Sequence, residues 1–207
     1  MRPSGNLRTG SQVLPAAQPC RQRGFSLIEL TVVILIVLLV AGIAVPNIAT
    51  AIANVQLRGA ASNLSGLIQS GRLAAVKNNV TCTVRFGLTN MQGAYVDLNK
   101  NGQFDSTEPM IQFGGNVTQV SAPSGAGSPS ALDGAGGPLG WTATSGNVSF
   151  NPRGLPCDVT RNPCATSVGY VFYLRDTRTS GNGWAAVSVT AAGRIKVWTW
   201  DGTAWVD

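Results

Sequence analysis

The sequence predicts an α+β protein: one long N-terminal helix, membrane-spanning in its first half, packed on an antiparallel β-sheet head. Three observations predict it. Phe25 to Val45 is an apolar run of 21 residues interrupted by a single charge, Glu29. Apolar residues then recur at near-helical spacing to about Asn78. Beyond that, short alternating runs are broken by turn signals, in a chain of 207 residues with 25 glycines and only 12% charged residues, a composition that suits a turn-rich β domain.

The apolar run is long enough, roughly 30 Å at 1.5 Å per helical residue, to cross a bilayer. Residues 1–24 carry Arg2, Arg8, Arg21 and Arg23 and no acid. An ordinary secretory signal places its small-residue cleavage site after the apolar core. Here a cut at Gly24 falls before that core, so it would remove the basic leader and leave the hydrophobic helix on the mature chain. The flanking arginines, with no further basic residue until Arg58, set the N-terminus on the cytoplasmic side. Glu29 then needs a reason, because an acid at mid-helix in a bilayer costs on the order of 2.5–3.5 kcal/mol.

The stretch Gly24-Phe25-Ser26-Leu27-Ile28-Glu29-Leu30 closely resembles the processing site of type IV pilins and type II secretion pseudopilins. The resemblance implies cleavage by a prepilin peptidase between Gly24 and Phe25, with Phe25 becoming the N-methylated first residue. It matches Glu29 to the family glutamate that pairs with the terminal amine of a neighbouring subunit, and Pro46 to the proline ending the membrane-spanning half. An amine of reference pKa about 7.7–8.0 and a carboxylate near 4.3 are both charged at neutral pH, so such a pair offsets the desolvation of each. The alternative is a plain single-span anchor with an incidental glutamate.

The organisation that follows is a leader at 1–24, a transmembrane and assembly helix at 25–46, an amphipathic second half at 47–79, and a β-rich extracytoplasmic head at 80–207. In the second half Ile48, Ile52, Val55, Ala60, Leu64, Leu67, Ile68, Ala74 and Ala75 form the apolar pattern. Gly59, Gly66 and Gly71 weaken it by roughly 1 kcal/mol each relative to alanine. Strands are expected at Thr81–Phe86, Gly93–Leu98, Met110–Val120, Asn147–Asn151, Ser167–Arg175, Trp184–Thr190 and Arg194–Trp200. Segment 121–140, rich in Gly, Ser, Ala and Pro, is read as a mobile loop. Within the family, Phe150-Asn151-Pro152-Arg153-Gly154-Leu155-Pro156 and Gly193-Arg194-Ile195-Lys196-Val197 resemble the GspH/FimT kind of minor subunit.

Asp97-x-Asn99-x-Asn101-Gly102-x5-Glu108 fits a calcium-loop pattern at every specified position. Asp97, Asn99, Asn101, the Gln103 carbonyl, Asp105 and a bidentate Glu108 could supply the six to eight oxygens that calcium takes. The flanks look like strands, so the other reading is a β-hairpin whose Asn and Asp side chains cap their own turn. Similar acidic loops occur in the resembled family without implying metal.

Cys20 leaves with the leader, and Cys82, Cys157 and Cys164 remain in a compartment where disulfides persist. Cys157 with Cys164 is the simplest pair, although either could pair with Cys82. The chain has no histidine, which argues against zinc and against most general-base catalysis, so no enzymatic activity is expected. Arg194, Lys196, Trp198 and Trp200 alternate along the final strand, a pattern able to contact phosphates and stack bases. In FimT-like minor pilins a Gly-Arg-x-Arg segment is associated with DNA capture; here it reads Gly193-Arg194-Ile195-Lys196. The other reading is a solvated strand face. Net charge decides little: four of the 15 basic residues lie in the leader, leaving 11 against 9 acids.

The expected function is that of a minor pseudopilin of a type II secretion pseudopilus, in the bacterial inner membrane with a periplasmic head. Its partners would be other pseudopilins, prepilin peptidase, membrane lipid and secreted cargo. The alternative is a type IV pilus minor pilin that binds DNA for natural transformation.

Overall fold

The computed structural model describes residues 24–88, 91–120, 141–143, 146–158, 164–166, 169–179 and 183–206. Residues 1–23, expected to be a leader, the segment 121–140, expected to be a loop, and residues 180–182 lie outside them. The chain divides into two units, the first ending at Ile43 and the second running from Ala44 to Asp207.

Helix α1 covers Leu27–Asn78. Glu29 sits in its first turn and Lys77 in its last, both favourable against the helix dipole. Asn79 stops it in a left-handed conformation, φ 52°, with the Val80 amide donating back to the Ala75 carbonyl. Every residue from 24 to 43 is exposed. In the second unit one stripe is buried instead: Ala53, Leu57, Ala60, Ala61, Leu64, Ile68 and Ala75 recur at helical spacing.

That stripe does not take in every residue of the expected apolar pattern, because Ile48, Ile52 and Val55 lie off it. They are 56%, 47% and 70% exposed. Periodicity reports that an apolar face exists, not which of two faces meets the head.

Two sheets form the head. In sheet A, β1 (Cys82–Leu88) pairs antiparallel with β2 (Met91–Asp97) and with β6 (Val148–Phe150). β3 (Met110–Gln112) flanks β2, and β7 (Pro156–Asp158) and β8 (Ala165–Thr166) extend the other side. In sheet B, β9 (Gly169–Asp176), β10 (Trp184–Val189), β11 (Ile195–Trp200) and β12 (Trp205–Val206) run antiparallel in sequence. Also paired with β9 are β4 (Val117–Val120), antiparallel, and β5 (Trp141–Ala143), parallel.

The single expected strand at Met110–Val120 is therefore two strands in different sheets. The Val117 amide closes a turn onto the Gly114 carbonyl, and the preceding Phe113 amide still donates to the Gln92 carbonyl of β2. Two adjacent glycines, Gly114 and Gly115, let the chain leave sheet A there. The short β5, β7, β8 and β12 were not expected at all.

The main core fills the space between the second half of α1 and both sheets, with Leu64, Ile68, Val84, Val96, Phe150, Phe172, Leu174 and Val187 fully buried. Each such large side chain contributes about 1.5–3 kcal/mol by leaving water. Phe86 of sheet A stacks on Phe172 of sheet B at 4.7 Å between centroids, so the sheets meet directly. At Gly71 the helix comes closest: an added Cβ would lie 2.5 Å from Val84 Cγ2. Gly71 is thus required by packing, whereas Gly59 and Gly66 have nothing within 4 Å.

Sheet B is apolar on its other face too. Val171, Tyr173, Ala186 and Trp205 cluster there with Trp184, Trp198 and Trp200 packed against them. Asp176, buried at the end of β9, binds Arg178 at 2.7 Å, and Arg178 also donates to Gln56 on α1 at 2.5 Å. The hydrogen bond from Arg178 holds the Asp176 carboxyl below the usual carboxylate range.

Candidate functional site

Three regions carry the residues singled out from the sequence. In the first, Gly24 and Phe25 precede α1, and Glu29 lies in its first turn, exposed. Phe25 is 81% exposed. Neighbouring polar groups are satisfied locally: the Leu30 amide donates to the Ser26 carbonyl and Thr31 Oγ1 donates to the Ile28 carbonyl. From Phe25 to Leu57 the sequence contains a single charged side chain, that of Glu29. Among the described residues α1 is the one helix long and apolar enough to cross a membrane. Pro46 falls within the helix.

The second region is the β2–β3 connection, residues 98–109. Asp97 is 1% exposed, and its Oδ2 accepts from Arg85 Nε at 2.6 Å and from the Gly102 amide at 3.1 Å. Glu108 is also buried; its Oε1 accepts from the Leu98 amide at 2.8 Å and its Oε2 from the Asp105 amide at 3.1 Å. Asn99 Oδ1 accepts from the Asn101 amide, and Asn101 Oδ1 from the Gln103 amide. Asp105 Oδ2 accepts from the side-chain amides of Asn99 and Asn101. Gly102, at φ 77°, makes the sharp bend. The loop therefore brings together all six residues of the sequence pattern, and it is closed by side chains that cap its own backbone.

The third region surrounds the last strands. Arg194 is exposed, with its amide donating to Thr190 Oγ1. Lys196 places Nζ 4.0 Å from the Trp198 ring centroid, a cation–π contact. Trp198 Nε1 donates to Ser188 Oγ at 2.8 Å, and Trp200 packs on Trp205 at 5.3 Å. The rings of Trp198 and Trp200 are thus half-buried and engaged within the protein.

Cysteine placement is equally definite. Cys157 and Cys164 are joined by a disulfide, with Cα atoms 5.4 Å apart, and the bond staples β7 to the start of β8. Cys82 is a buried free thiol whose S–H donates to the Asp97 carbonyl at 3.7 Å. Burial, reinforced by the Asp97 charge, raises its pKa to about 11, so it is inert at neutral pH.

Sequence reasoning missed Arg72. From α1 its Nε donates to the Gly154 carbonyl at 2.9 Å and its Nη1 to the Gly193 carbonyl at 3.0 Å. These glycines belong to the two head phrases that carried the resemblance, 150–156 and 193–197. Both have positive φ, 74° and 80°, and a Cβ at Gly193 would sit 3.0 Å from the Gly154 carbonyl oxygen. A helical arginine followed by two distant left-handed glycines leaves no local signal, so only the fold reveals the connection.

Comparisons with known proteins complete the picture. No curated protein matches the chain. Among solved structures it is similar to the type IV minor pilin FimU of Pseudomonas aeruginosa strain PAO1. The P21 crystal form gives 16% identity over 68% of this chain and 87% of that one, with a TM-score of 0.45. The P65 form gives 15% identity over 68% and 90%, with a TM-score of 0.44. Residues 19–45 match the prokaryotic N-terminal methylation motif. Residues 60–193, more than half the chain, match the family described as type II transport protein GspH. The chain belongs to the GspH family of pilin-like proteins.

Proposed function

We propose that the chain is a minor pseudopilin of a type II secretion pseudopilus, anchored in the bacterial inner membrane with its head in the periplasm. Prepilin peptidase removes residues 1–24, and Phe25 becomes the N-methylated amino terminus. Glu29 then pairs with the terminal amine of a neighbouring subunit, which fixes the axial stagger of adjacent helices. The work is mechanical and not enzymatic: helix packing, filament initiation, and contact with cargo or other subunits.

The observation that carries this reading is Glu29, a lone exposed carboxylate in an otherwise uncharged helical run directly behind Gly24. A second support is the outward stripe of α1. Ile48, Ile52, Val55, Gly59, Ser62, Gly66, Gln69, Leu73 and Val76 are all exposed and follow a three-four spacing. Gly59 and Gly66 leave room for the backbone of another helix, as small residues do where helices pack closely. DNA capture, the other role attached to this kind of subunit, draws support from Arg194 and Arg153, which lie on touching turns and are exposed. It draws none from Trp198 and Trp200, whose rings are occupied.

The test is mass spectrometry of the mature protein together with Glu29→Ala. Expected are an N-methylated Phe25 terminus and a variant that inserts in the membrane but is absent from assembled filaments. Normal incorporation of Glu29→Ala would refute the pairing role, and an intact leader would refute processing.

A further inference from the structure

We infer that the loop of residues 97–108 is a weak calcium site, and that calcium stiffens the β2–β3 edge of the head. The inference is independent of filament membership. It begins from an atom that the capping network fails to serve. Asp97 is buried at the end of β2, and its Oδ2 takes two donors, Arg85 Nε and the Gly102 amide. Its Oδ1 is buried with no hydrogen-bond partner. An anionic oxygen held out of water calls for a donor or a cation. The carboxylate faces into the loop, because Oδ2 reaches the Gly102 amide five residues along the chain.

The oxygens around it suit one cation in particular. Glu108 is fixed by two backbone amides, those of Leu98 and Asp105, which tie its carboxylate to both arms of the loop that holds Asp97. Asn99 Oδ1 and Asn101 Oδ1 each accept one amide and keep a second lone pair. With the Gln103 carbonyl and Asp105, this makes about seven oxygens, within the six to eight that calcium takes and more than an octahedral magnesium site accepts. Three carboxylates face two cations, Arg85 and Lys100, so the loop retains a net negative charge.

Affinity is limited by Asp105. Its Oδ2 is held by the amide groups of Asn99 and Asn101. Among the described residues no three acidic or thiol side chains already converge on a single metal position. Calcium must therefore draw Asp105 inward, away from the side-chain amides of Asn99 and Asn101 that hold it. A site that rearranges to bind falls in the range of extracellular modules, about 0.1–1 mM. The rearrangement is relayed to the sheet, because the Pro109 carbonyl at the loop's end accepts the Val96 amide and Tyr95 Oη donates to the Gly102 carbonyl.

The experiment uses the full chain in detergent, titrated with calcium chloride or magnesium chloride by calorimetry and by thermal melting. Expected are saturable calcium binding near 0.1–1 mM, a raised melting temperature, and a response to magnesium at least about tenfold weaker. Glu108→Gln and Asp105→Asn should each weaken calcium binding about tenfold or more. Asp105 is partly exposed and outside the core, so Asp105→Asn tests the site without threatening the fold. Saturable binding lost in a folded Asp105→Asn supports the site. Absence of heat and melting shift up to about 10 mM calcium, an unchanged response in Asp105→Asn, or an equal response to magnesium would overturn it.

Discussion

The two halves of α1 use similar amino acids for opposite ends. Between residues 24 and 43 every position is exposed, with Leu35 at 64% and Leu39 at 68%. Between Ala53 and Ala75 one stripe is buried against the head and the opposite stripe is open. The first half leaves its whole apolar surface exposed; the second commits one face to its own fold and leaves the other open. Apolar composition alone therefore does not measure what stabilises this monomer.

The sharpest way to break that comparison is a pair of truncations. Phe172→Ala removes a fully buried ring stacked on Phe86 and should destabilise the head by about 3–5 kcal/mol. Leu35→Ala should leave the melting temperature of the detergent-solubilised chain unchanged. Equal effects at the two positions would erase the distinction.

A smaller effect separates the glycines. Gly71→Ala forces a Cβ onto Val84 and should cost about 1–3 kcal/mol, despite alanine's better helix propensity. Gly66→Ala meets open space and should stabilise the monomer by up to about 1 kcal/mol. Denaturant titration of both variants reads the sign directly. Under the proposed assembly, the same Gly66→Ala reduces filament incorporation.

The smallest effect tests the far end of the buried stripe, where Gln56 meets Arg178 and Asp176. The Asp176 pKa is lowered in the fold, chiefly by the Arg178 hydrogen bond. Its contribution is therefore fully present above the ordinary carboxylate pKa of about 3.9, and it is lost as pH falls through the lower folded value. Asp176→Asn should lower the melting temperature at pH 7, and the difference from the parent should vanish at strongly acidic pH. A constant difference across pH would remove the ion pair as its cause.

Much of this was legible in the sequence because the signals were local. The apolar span, the isolated charge of Glu29 and the end of α1 near Asn78 follow from composition and periodicity over many residues. Strands β9 and β10 were found as apolar, β-branched and aromatic runs bounded by Gly-containing turns, and β11 by its alternation. What escaped was decided at a distance. The break between β3 and β4 depends on which sheet each half can join, and the two-residue β8 and β12 exist only as partners of longer strands. Periodicity could not say that Ile48, Ile52 and Val55 lie off the buried face, because two apolar stripes on one helix have the same period. The loop residues Asp97 to Glu108 were read as a group, yet the partnership of Asp97 with Arg85 required the β1–β2 register, which sets Arg85 opposite Tyr95.

The Arg72 clasp has a bearing on orientation. One guanidinium holds carbonyls from two turns that are 39 residues apart in sequence, Gly154 and Gly193. Turning the helix by a single residue, about 100°, would withdraw it from both. Arg72 thus works as a key in a keyway, indexing the azimuth of the helix's second half against the head. Whatever neighbours the outward stripe meets, the direction in which it is presented is set from inside, by two buried glycines and the arginine that reaches them.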